Sequence, residues 1–359
     1  MSTSINIGLG IGDRTAGDFA TGPAAPLNTS APVVSGTVYA AQTLSTTNGT
    51  WIDADTFEYQ WHSNLAAIPG ATSQTFVVTT AQEGTSISCT VTATGPRGPA
   101  PAASNTIRNW IPSDSTTLRV WLDPNFTQNL TLDGIQVDGI TQRAGSEPVS
   151  MAPITPPNKN STDGSFHSAP AGLQSFLHSA QQDALREDTF NLAADRELIL
   201  AMAVNVDDPV QGTNSSIVSF DAQNDFLLRS GAVAGFLGEM STTVLGGPGG
   251  VSNAGGPYSG QHVFEAVFDD TNKQVYTDGT LQGSSAYTPG SMSSPTELQW
   301  GVNRAGTDGI SGSYGDLIVD DDPSPASRQL IEGFLHWKWG IESLLPVGHP
   351  YENNPPPAP

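Results

Sequence analysis

The chain has a single cysteine, Cys89, among its 359 residues. A disulfide within the chain needs two cysteines, and a cysteine-based metal site needs several, so the sequence excludes both. A lone thiol of this kind is most simply a small buried hydrophobic group.

Positive charge is also scarce. There are 13 basic residues against 35 acidic ones, which gives a formal net charge of −22, and lysine occurs only as Lys159, Lys273 and Lys338. A surface charged in this way repels the phosphate backbone of nucleic acids. We therefore expect no nucleic-acid partner, and the scattered acids indicate a well-solvated surface.

Long hydrophobic runs are missing as well. No stretch of the sequence approaches the length that a membrane span requires. Residues 1–17 lack the basic and apolar regions of a signal peptide. We therefore expect a protein that is made in the cytoplasm, with no membrane span and no export signal.

Glycine and proline, by contrast, are abundant, at 38 and 27 residues. Together with short segments of alternating polarity, they predict an all-β chain whose short strands are joined by turns. A chain of this length exceeds the size at which one core stops growing, so we expect two or more domains.

The first predicted unit spans residues 29–108. Strand alternation places Tyr59 and Trp61 on one face, and a later strand aligns Ile87, Cys89 and Val91. A tryptophan packed near a cysteine is the core signature of an immunoglobulin-like sandwich. The segments "YQW" and "TSQTFVVTTAQEGTSISCTVTAT" resemble the bacterial and phage Ig-like repeats of surface and virion proteins. A second cysteine is absent, and we expect Leu44 at the facing position.

The second predicted unit spans residues 118–350, between a linker at 109–117 and a Pro-rich tail at 351–359. Many strand-like segments without intervening helices predict a larger antiparallel sandwich. Within it, Asp278 and Gly279 lie between two alternating segments and predict a hairpin with a type I′ turn.

One helix is predicted near the end of the chain. Ser324 is placed to cap it, Pro325 suits its first position, and Gly340 suits its left-handed end. Its apolar face is formed by residues at helical spacing, namely Leu330, Ile331, Phe334, Leu335 and Trp337.

Two segments of this unit carry a family resemblance. "HVFEAVFDDTNKQVYTDGTLQGS" and "IVDDDPSPASRQLIEGFLHWKWGIESLLPVGHPYENNPP" are similar to the concanavalin A-like (laminin G-like) jelly-roll domains of bacteriophage and marine bacterial proteins. The resemblance covers residues 118 to 355. It implies a jelly roll that the helix and the tail close.

Residues 1–28 are predicted to form an extended arm and linker. The arm alternates small residues with four apolar ones, which are Ile5, Ile7, Leu9 and Ile11. It can dock on its own domain or on a neighbouring chain, and we expect it to anchor the protein to a particle. Its glycines do not form a dinucleotide-binding motif, because no buried strand precedes them and no helix follows.

Enzyme signatures are not found in the sequence. There is no Gly-x-Ser-x-Gly elbow, P-loop or His-Glu-x-x-His motif. Catalytic sandwiches that resemble this one carry Glu-x-Asp-x-x-Glu on one strand, and Glu265 with Asp269 does not reproduce it. We therefore predict no enzyme activity and no catalytic residues.

The sequence offers weak candidates for ligand binding. Tyr258 and Tyr287 lie in predicted loops and could stack on sugars. His336 and His349 are spaced poorly for a metal, so core packing and loop hydrogen bonds are the favoured interpretation. Trp300 follows the strand alternation and is expected in the core rather than in a groove.

No cofactor is predicted, although acidic turns could supply oxygen ligands for a structural calcium ion. Acidic turn residues are more often merely solvated. The candidate positions are Asp207, Asp208, Asp269, Asp270, Asp320, Asp321 and Asp322.

The resemblance and the missing export signal together predict a non-enzymatic bacteriophage virion protein, released by lysis. It is expected on the particle surface as a head decoration, head fibre or tail fibre. We expect it to be a homo-oligomer that contacts other virion proteins and host surface glycans. The alternatives are a cellular carbohydrate-binding or adhesion protein and a polysaccharide depolymerase.

Overall fold

The computed structural model describes residues 25–133, 136–153, 166–168, 174–178, 185–190, 197–206, 216–220, 226–230, 237–240, 258–269, 271–286, 297–301 and 312–359. Over these ranges the chain is all-β, with several antiparallel sheets and one α-helix, as the sequence predicted. No helix in the described ranges is both long enough and apolar enough to span a membrane.

Nine strands are described between residues 25 and 103. They are β1 (Leu27–Ser30), β2 (Val34–Ser35), β3 (Thr43–Thr46), β4 (Thr50–Ile52), β5 (Thr56–Ser63), β6 (Ala66–Ala67), β7 (Thr75–Val77), β8 (Ile87–Gly95) and β9 (Gly98–Ala103). They form a β1-β4 pair, a β2-β3-β7 sheet and a β6-β5-β8-β9 sheet. The second and third of these sheets share one core.

That core has the expected tryptophan and cysteine. Trp61 on β5 lies opposite Cys89 on β8 in the antiparallel register. Both side chains are buried, and Leu44 is buried in the same cluster. The prediction that an apolar side chain replaces the second cysteine is therefore confirmed, and burial rather than a covalent bond holds the two sheets together.

We expect Cys89 to react slowly with thiol reagents in the native protein. Burial raises the pKa of its thiol, which lowers the thiolate fraction, and it also blocks access. Labelling kinetics with a water-soluble disulfide reagent, measured with and without denaturant, test this. Native labelling as fast as denatured labelling would contradict the packing described here.

Sixteen further strands are described after residue 117. They are β10 (Leu118–Leu122), β11 (Leu130–Asp133), β12 (Gln136–Thr141), β13 (Ser150–Pro153), β14 (Phe166–Ser168), β15 (Gln174–His178), β16 (Leu185–Glu187), β17 (Leu198–Val206), β18 (Ser216–Phe220), β19 (Phe226–Ser230), β20 (Leu237–Met240), β21 (Gly260–Phe268), β22 (Asn272–Thr277), β23 (Thr280–Ala286), β24 (Leu298–Trp300) and β25 (Gly312–Asp320).

These strands form two eight-stranded sheets. One runs β14-β15-β25-β17-β21-β22-β23, with β10 also paired to β25, and the other runs β11-β12-β13-β16-β24-β18-β19-β20. A single apolar cluster joins side chains from both sheets, including Met202, Phe264 and Trp300. Trp300 is fully buried there, which confirms its predicted core position.

The central strands of the first sheet are buried on both faces. Along β17, Leu198, Leu200 and Met202 point into the sandwich. Ile199 and Ala201 point to the opposite face, where a second apolar cluster includes the helix. This two-sided burial explains why "ELILAMAVNV" reads as a continuous hydrophobic run.

The helix α1 (Pro325–Trp339) begins and ends as predicted. The Ser324 hydroxyl accepts a hydrogen bond from the Ser327 backbone N–H, Pro325 is at the first position, and Gly340 has a φ of 69°. The predicted hairpin is also confirmed, since Asp278 and Gly279 both have positive φ. Three 3₁₀ turns complete the described helical structure, at Pro112–Asp114, Thr127–Asn129 and Glu342–Leu344.

The chain end returns to the segment between the two groups of sheets. The Trp110 backbone N–H donates to the carbonyl of Pro356 at 2.9 Å. Trp110 and Ile111 are buried in the cluster beneath α1, and Tyr39 from the loop between β2 and β3 joins them there. The Tyr39 ring meets Phe334 edge to face at 5.2 Å. The N-terminal sheets and the larger sandwich therefore share apolar packing around the helix.

Candidate functional site

The residues predicted for particle anchoring and glycan contact are only partly within the described ranges. Ile5, Ile7, Leu9, Ile11 and Tyr287 lie outside them. Tyr258 is half-buried at the start of β21, where its ring lies edge to face with His262 at 5.1 Å and Phe264 at 5.5 Å. Tyr258 is thus part of an aromatic group rather than an isolated exposed ring.

Glu265 and Asp269 do not face each other. Asp269 lies in the β21–β22 turn, where its Oδ1 accepts from the backbone N–H groups of Thr271 at 2.8 Å and Asn272 at 2.6 Å. Burial opposes the charge, but these hydrogen bonds lower the pKa of Asp269. The prediction that this residue belongs to a turn is confirmed. Glu265 instead points beneath α1 and is completely buried.

Glu265 lies next to Glu332, a second buried carboxyl group, which is on α1. We call these two residues the carboxyl pair. Neither oxygen of Glu265 has a hydrogen-bond donor. Burial and the neighbouring Glu332 raise the pKa of Glu265 well above its usual value. Two carboxyl groups in contact away from water cannot both ionise, so the pair holds one proton.

Glu332 is the ionised member of the carboxyl pair. It forms an ion pair with Arg328 one helical turn earlier, and its Oε2 lies 3.0 Å from Nε2 of His349. Burial alone would raise the pKa of Glu332, but the neighbouring Glu265 carboxyl group, the hydrogen bond from His349 and the charge of Arg328 lower it. Arg328 also lies over the Tyr276 ring, at 3.9 Å from the ring centroid.

Asp278 in the β22–β23 hairpin lies next to His336. Its Oδ1 accepts from the Val263 backbone N–H at 2.9 Å and lies 3.4 Å from Nε2 of His336. His336 Nδ1 lies 2.7 Å from the carbonyl oxygen of Glu332. His336 and His349 are both buried, so the interpretation of these residues as packing and hydrogen-bonding groups is confirmed.

The described acidic candidates for calcium binding are engaged with protein donors. Asp320 accepts hydroxyl hydrogen bonds from Ser115 and Thr117, and Asp322 accepts from Ser324 and Ser327 at the start of α1. Within the described ranges, no group of three side chains suits a metal ion. Asp207, Asp208 and Asp270 lie outside those ranges.

An open groove of about 430 Å³ is lined in part by Asp320 and Asp322. It is lined by Trp110, by the start of α1 and by the last residues of the chain, Pro357 to Pro359. Because its carboxylates already accept from neighbouring hydroxyl groups, the groove presents few free charges to a ligand.

A second buried charge cluster lies at the other end of α1, where the N-terminal sheets meet the larger sandwich. We call it the junction cluster, and its members are Glu83, Asp123, Arg143, Asp316 and Lys338. The side chains of Glu83, Asp123 and Lys338 are fully buried, and that of Arg143 is 8% exposed. Three carboxyl groups thus face two cations.

Lys338 occupies the centre of the junction cluster. Its Nζ lies 2.9 Å from Oδ2 of Asp123 and 2.9 Å from Oδ1 of Asp316. Arg143 pairs with both Glu83 and Asp123. Burial opposes the ammonium charge, but the surrounding carboxylates raise the pKa of Lys338.

The two aspartates of the junction cluster have different surroundings. Burial raises the pKa of Asp123, but Lys338 and Arg143 outweigh it and lower that pKa. Burial and the Asp123 charge raise the pKa of Asp316 to about 6. Asp316 receives neutral indole N–H donors, from Trp121 to Oδ1 and from Trp339 to Oδ2, each at 2.8 Å. Asp123 is therefore the carboxylate, and Asp316 is the carboxyl group that is easier to protonate.

The junction cluster was not predicted from the sequence, although the position of Lys338 on the helix indicates a buried lysine. Ile331, Phe334, Leu335 and Lys338 follow the i, i+3, i+4, i+7 spacing of a buried helix face. A lysine at such a position, between two tryptophans and in a chain with few lysines, predicts a buried partner. The partners themselves are distant in sequence, since the residue numbers of Lys338 and Asp123 differ by 215.

No protein-family model and no curated protein sequence matches the chain. Solved structures do show similarity. Domain 4 of AbnA, a GH43 extracellular arabinanase from Geobacillus stearothermophilus in complex with arabinotriose, is 11% identical over 59% of this chain and 96% of that domain, with a TM-score of 0.42.

Two further structures match at a similar level. The binding domain of botulinum neurotoxin DC with rat synaptotagmin II is 11% identical over 64% of this chain, with a TM-score of 0.42. Trypanosoma rangeli sialidase with sialic acid is 11% identical over 72% of this chain, with a TM-score of 0.37. The matches span 52% and 43% of those chains.

Proposed function

We propose that this chain is a non-enzymatic structural protein of a bacteriophage virion, displayed on the particle surface and able to contact host glycans. The observation that carries the proposal is the burial of the two carboxyl clusters that the structure describes. The carboxyl pair and the junction cluster are sealed beneath α1, where they join the helix to the sheets. Carboxylates that hydrolyse polysaccharides must instead line an open cleft around the scissile bond.

The packing around α1 supports a display role. Tyr39 and Glu83 lie in loops that connect the N-terminal strands, yet Tyr39 packs on Phe334 of α1 and Glu83 pairs with Arg143 of the larger sandwich. Apolar contacts together with buried ion pairs resist bending between the two parts. A stiff connection suits a protein that holds its outer sandwich away from a particle.

Incorporation into particles tests the virion role. We expect a variant with serine at Ile5, Ile7, Leu9 and Ile11 to be lost from purified particles, because the arm then has no apolar face to dock. A matched control places serine at the intervening residues Asn6, Gly8 and Gly10 and keeps the apolar side chains. Mass spectrometry of the particles measures both. Equal incorporation of the two variants contradicts the anchoring role.

Assays on host envelope polysaccharide test the non-enzymatic role. We expect no release of reducing sugar by the purified chain and at most weak glycan binding. Binding should fall on Tyr258→Ala and persist in Tyr258→Phe, which keeps the ring that packs on Phe264. Release of reducing sugar that disappears on Glu265→Gln contradicts the proposal and indicates a depolymerase.

A further inference from the structure

The junction cluster brings a lysine and an aspartate together in the geometry of a condensation reaction. Lys338 Nζ and Asp316 Oδ1 are 2.9 Å apart, and the lysine side chain has no contact with solvent. The aromatic rings of Trp121 and Phe334 lie within 6 Å of the ammonium nitrogen, at 5.6 and 5.4 Å. Water, which would reverse a condensation, is largely excluded from such a site.

We propose that Lys338 and Asp316 form a site of covalent modification, in which the lysine Nζ and the aspartate Cγ join as an amide with loss of one water. The bond would link β25 to α1. This inference does not depend on the proposed virion role.

Each remaining member of the cluster has a part in the reaction. The indole N–H groups of Trp121 and Trp339 donate to the two oxygens of Asp316, where negative charge develops during attack on Cγ. Asp123 is ionised and its Oδ2 lies 2.9 Å from Nζ, so it is the group placed to accept the proton of the ammonium ion. Glu83 balances the charge of Arg143 and lies 4.0 Å from Nζ.

The step balances in atoms and charge. Lys338 is an ammonium ion at rest, and it transfers one proton to Asp123 before the neutral nitrogen attacks protonated Asp316. The C–N bond forms, one C–O bond of Asp316 breaks, and the oxygen leaves as water. The remaining proton stays on Asp123. The cluster is neutral before the reaction, with two cations and two carboxylates, and neutral afterwards, with Arg143 facing Glu83.

Asp316 is the predicted acyl partner because of its protonation. Three carboxyl groups against two cations leave one carboxyl group in excess, and Asp316 is the one whose surroundings favour a proton. Its pKa of about 6 means that a protonated fraction exists at mildly acidic pH. Gly315 also allows close packing, since a Cβ there would meet the Trp339 ring at 2.3 Å.

Mass spectrometry of the full chain tests the proposal directly. After incubation near pH 6, we expect a mass lower by one water than that calculated from the sequence. Trypsin then cannot cut after Lys338, and the peptide 305–328 should remain joined to 329–359. Cleavage after Lys273 in the same digest is the internal control.

Variants of Asp316 and Lys338 test whether these two residues form the amide bond. Asp316→Asn should give the same linked peptides with loss of ammonia instead of water, and Asp316→Ala should give none. Lys338→Arg keeps the positive charge and should restore the sequence-calculated mass. A wild-type chain that keeps its full mass and is cut after Lys338 overturns the proposal. A link from Lys338 to peptide 120–143, which contains Asp123, overturns the assignment of Asp316.

Discussion

Replacing Lys338 with methionine is expected to destabilise the folded protein by about 3–5 kcal/mol, the usual effect of removing one partner from a buried ion pair. Asp123 and Asp316 would remain buried beside Glu83 with only Arg143 to balance them. Burying an uncompensated carboxylate is costly because the protein interior cannot replace its hydration. Loss of the proposed amide would act in the same direction. Equilibrium denaturation in urea measures the difference.

Two comparisons separate this effect from a general loss of positive charge. Arg186→Met removes a cation whose partner, Asp188, is 63% exposed, and should change the free energy of unfolding by less than about 1 kcal/mol. The double variant Lys338→Met with Asp316→Asn should recover part of the stability, because it removes one of the stranded carboxyl groups. If Lys338→Met is as mild as Arg186→Met, the junction cluster does not stabilise the fold.

Glu265→Gln is expected to stabilise the protein at neutral and alkaline pH. The pKa of Glu265 is raised in the folded state above its usual value of 4.5. Above pH 4.5 the unfolded chain releases a proton that the native state keeps, so stability falls as pH rises, by about 1.4 kcal/mol per pH unit until the folded pKa is reached. Glutamine resembles the protonated carboxyl group and removes this loss.

Glu332→Gln is the matched comparison within the carboxyl pair and should act in the opposite direction. The pKa of Glu332 is lowered in the folded state. Its contribution to stability is therefore complete above its unfolded pKa and is lost as pH falls through the folded pKa. The variant also leaves Arg328 and His349 without their shared anion. Thermal unfolding from pH 4 to 8 measures both variants, and destabilisation by Glu265→Gln at pH 8 contradicts the assigned protonation.

Local patterns in the sequence predicted much of the fold. The hairpin at Asp278 and Gly279, the capped helix from Pro325 to Trp339 and the pairing of Trp61 with Cys89 are present as expected. Each depends on neighbouring residues or on strand alternation, which act over a few positions. The helix face was predicted less well. Trp337 packs at the margin of the core and donates its indole N–H to the Tyr351 carbonyl at 2.7 Å, whereas Trp339 is buried.

The carboxyl pair could not be predicted from such local patterns. Alternation along a single strand indicates only Glu265 and Asp269 as carboxyl groups on one face. The structure instead pairs Glu265 on β21 with Glu332 on α1, because the helix lies across the sheet face to which Glu265 points. Carboxyl groups brought together from two elements leave no spacing signal in the sequence.

The all-β class, the single described helix with its caps, and the replacement of a disulfide by apolar packing could be predicted, since these features follow from composition and short-range periodicity. The position of α1 over two buried charge clusters, by contrast, results from the packing of elements that are distant in sequence. Whether a buried lysine is neutralised depends on side chains such as Asp123 and Asp316, which approach it only after the sheets and the helix have packed. Electrostatic energy depends on distance in space and on removal from water, and neither quantity can be read from separation along the chain.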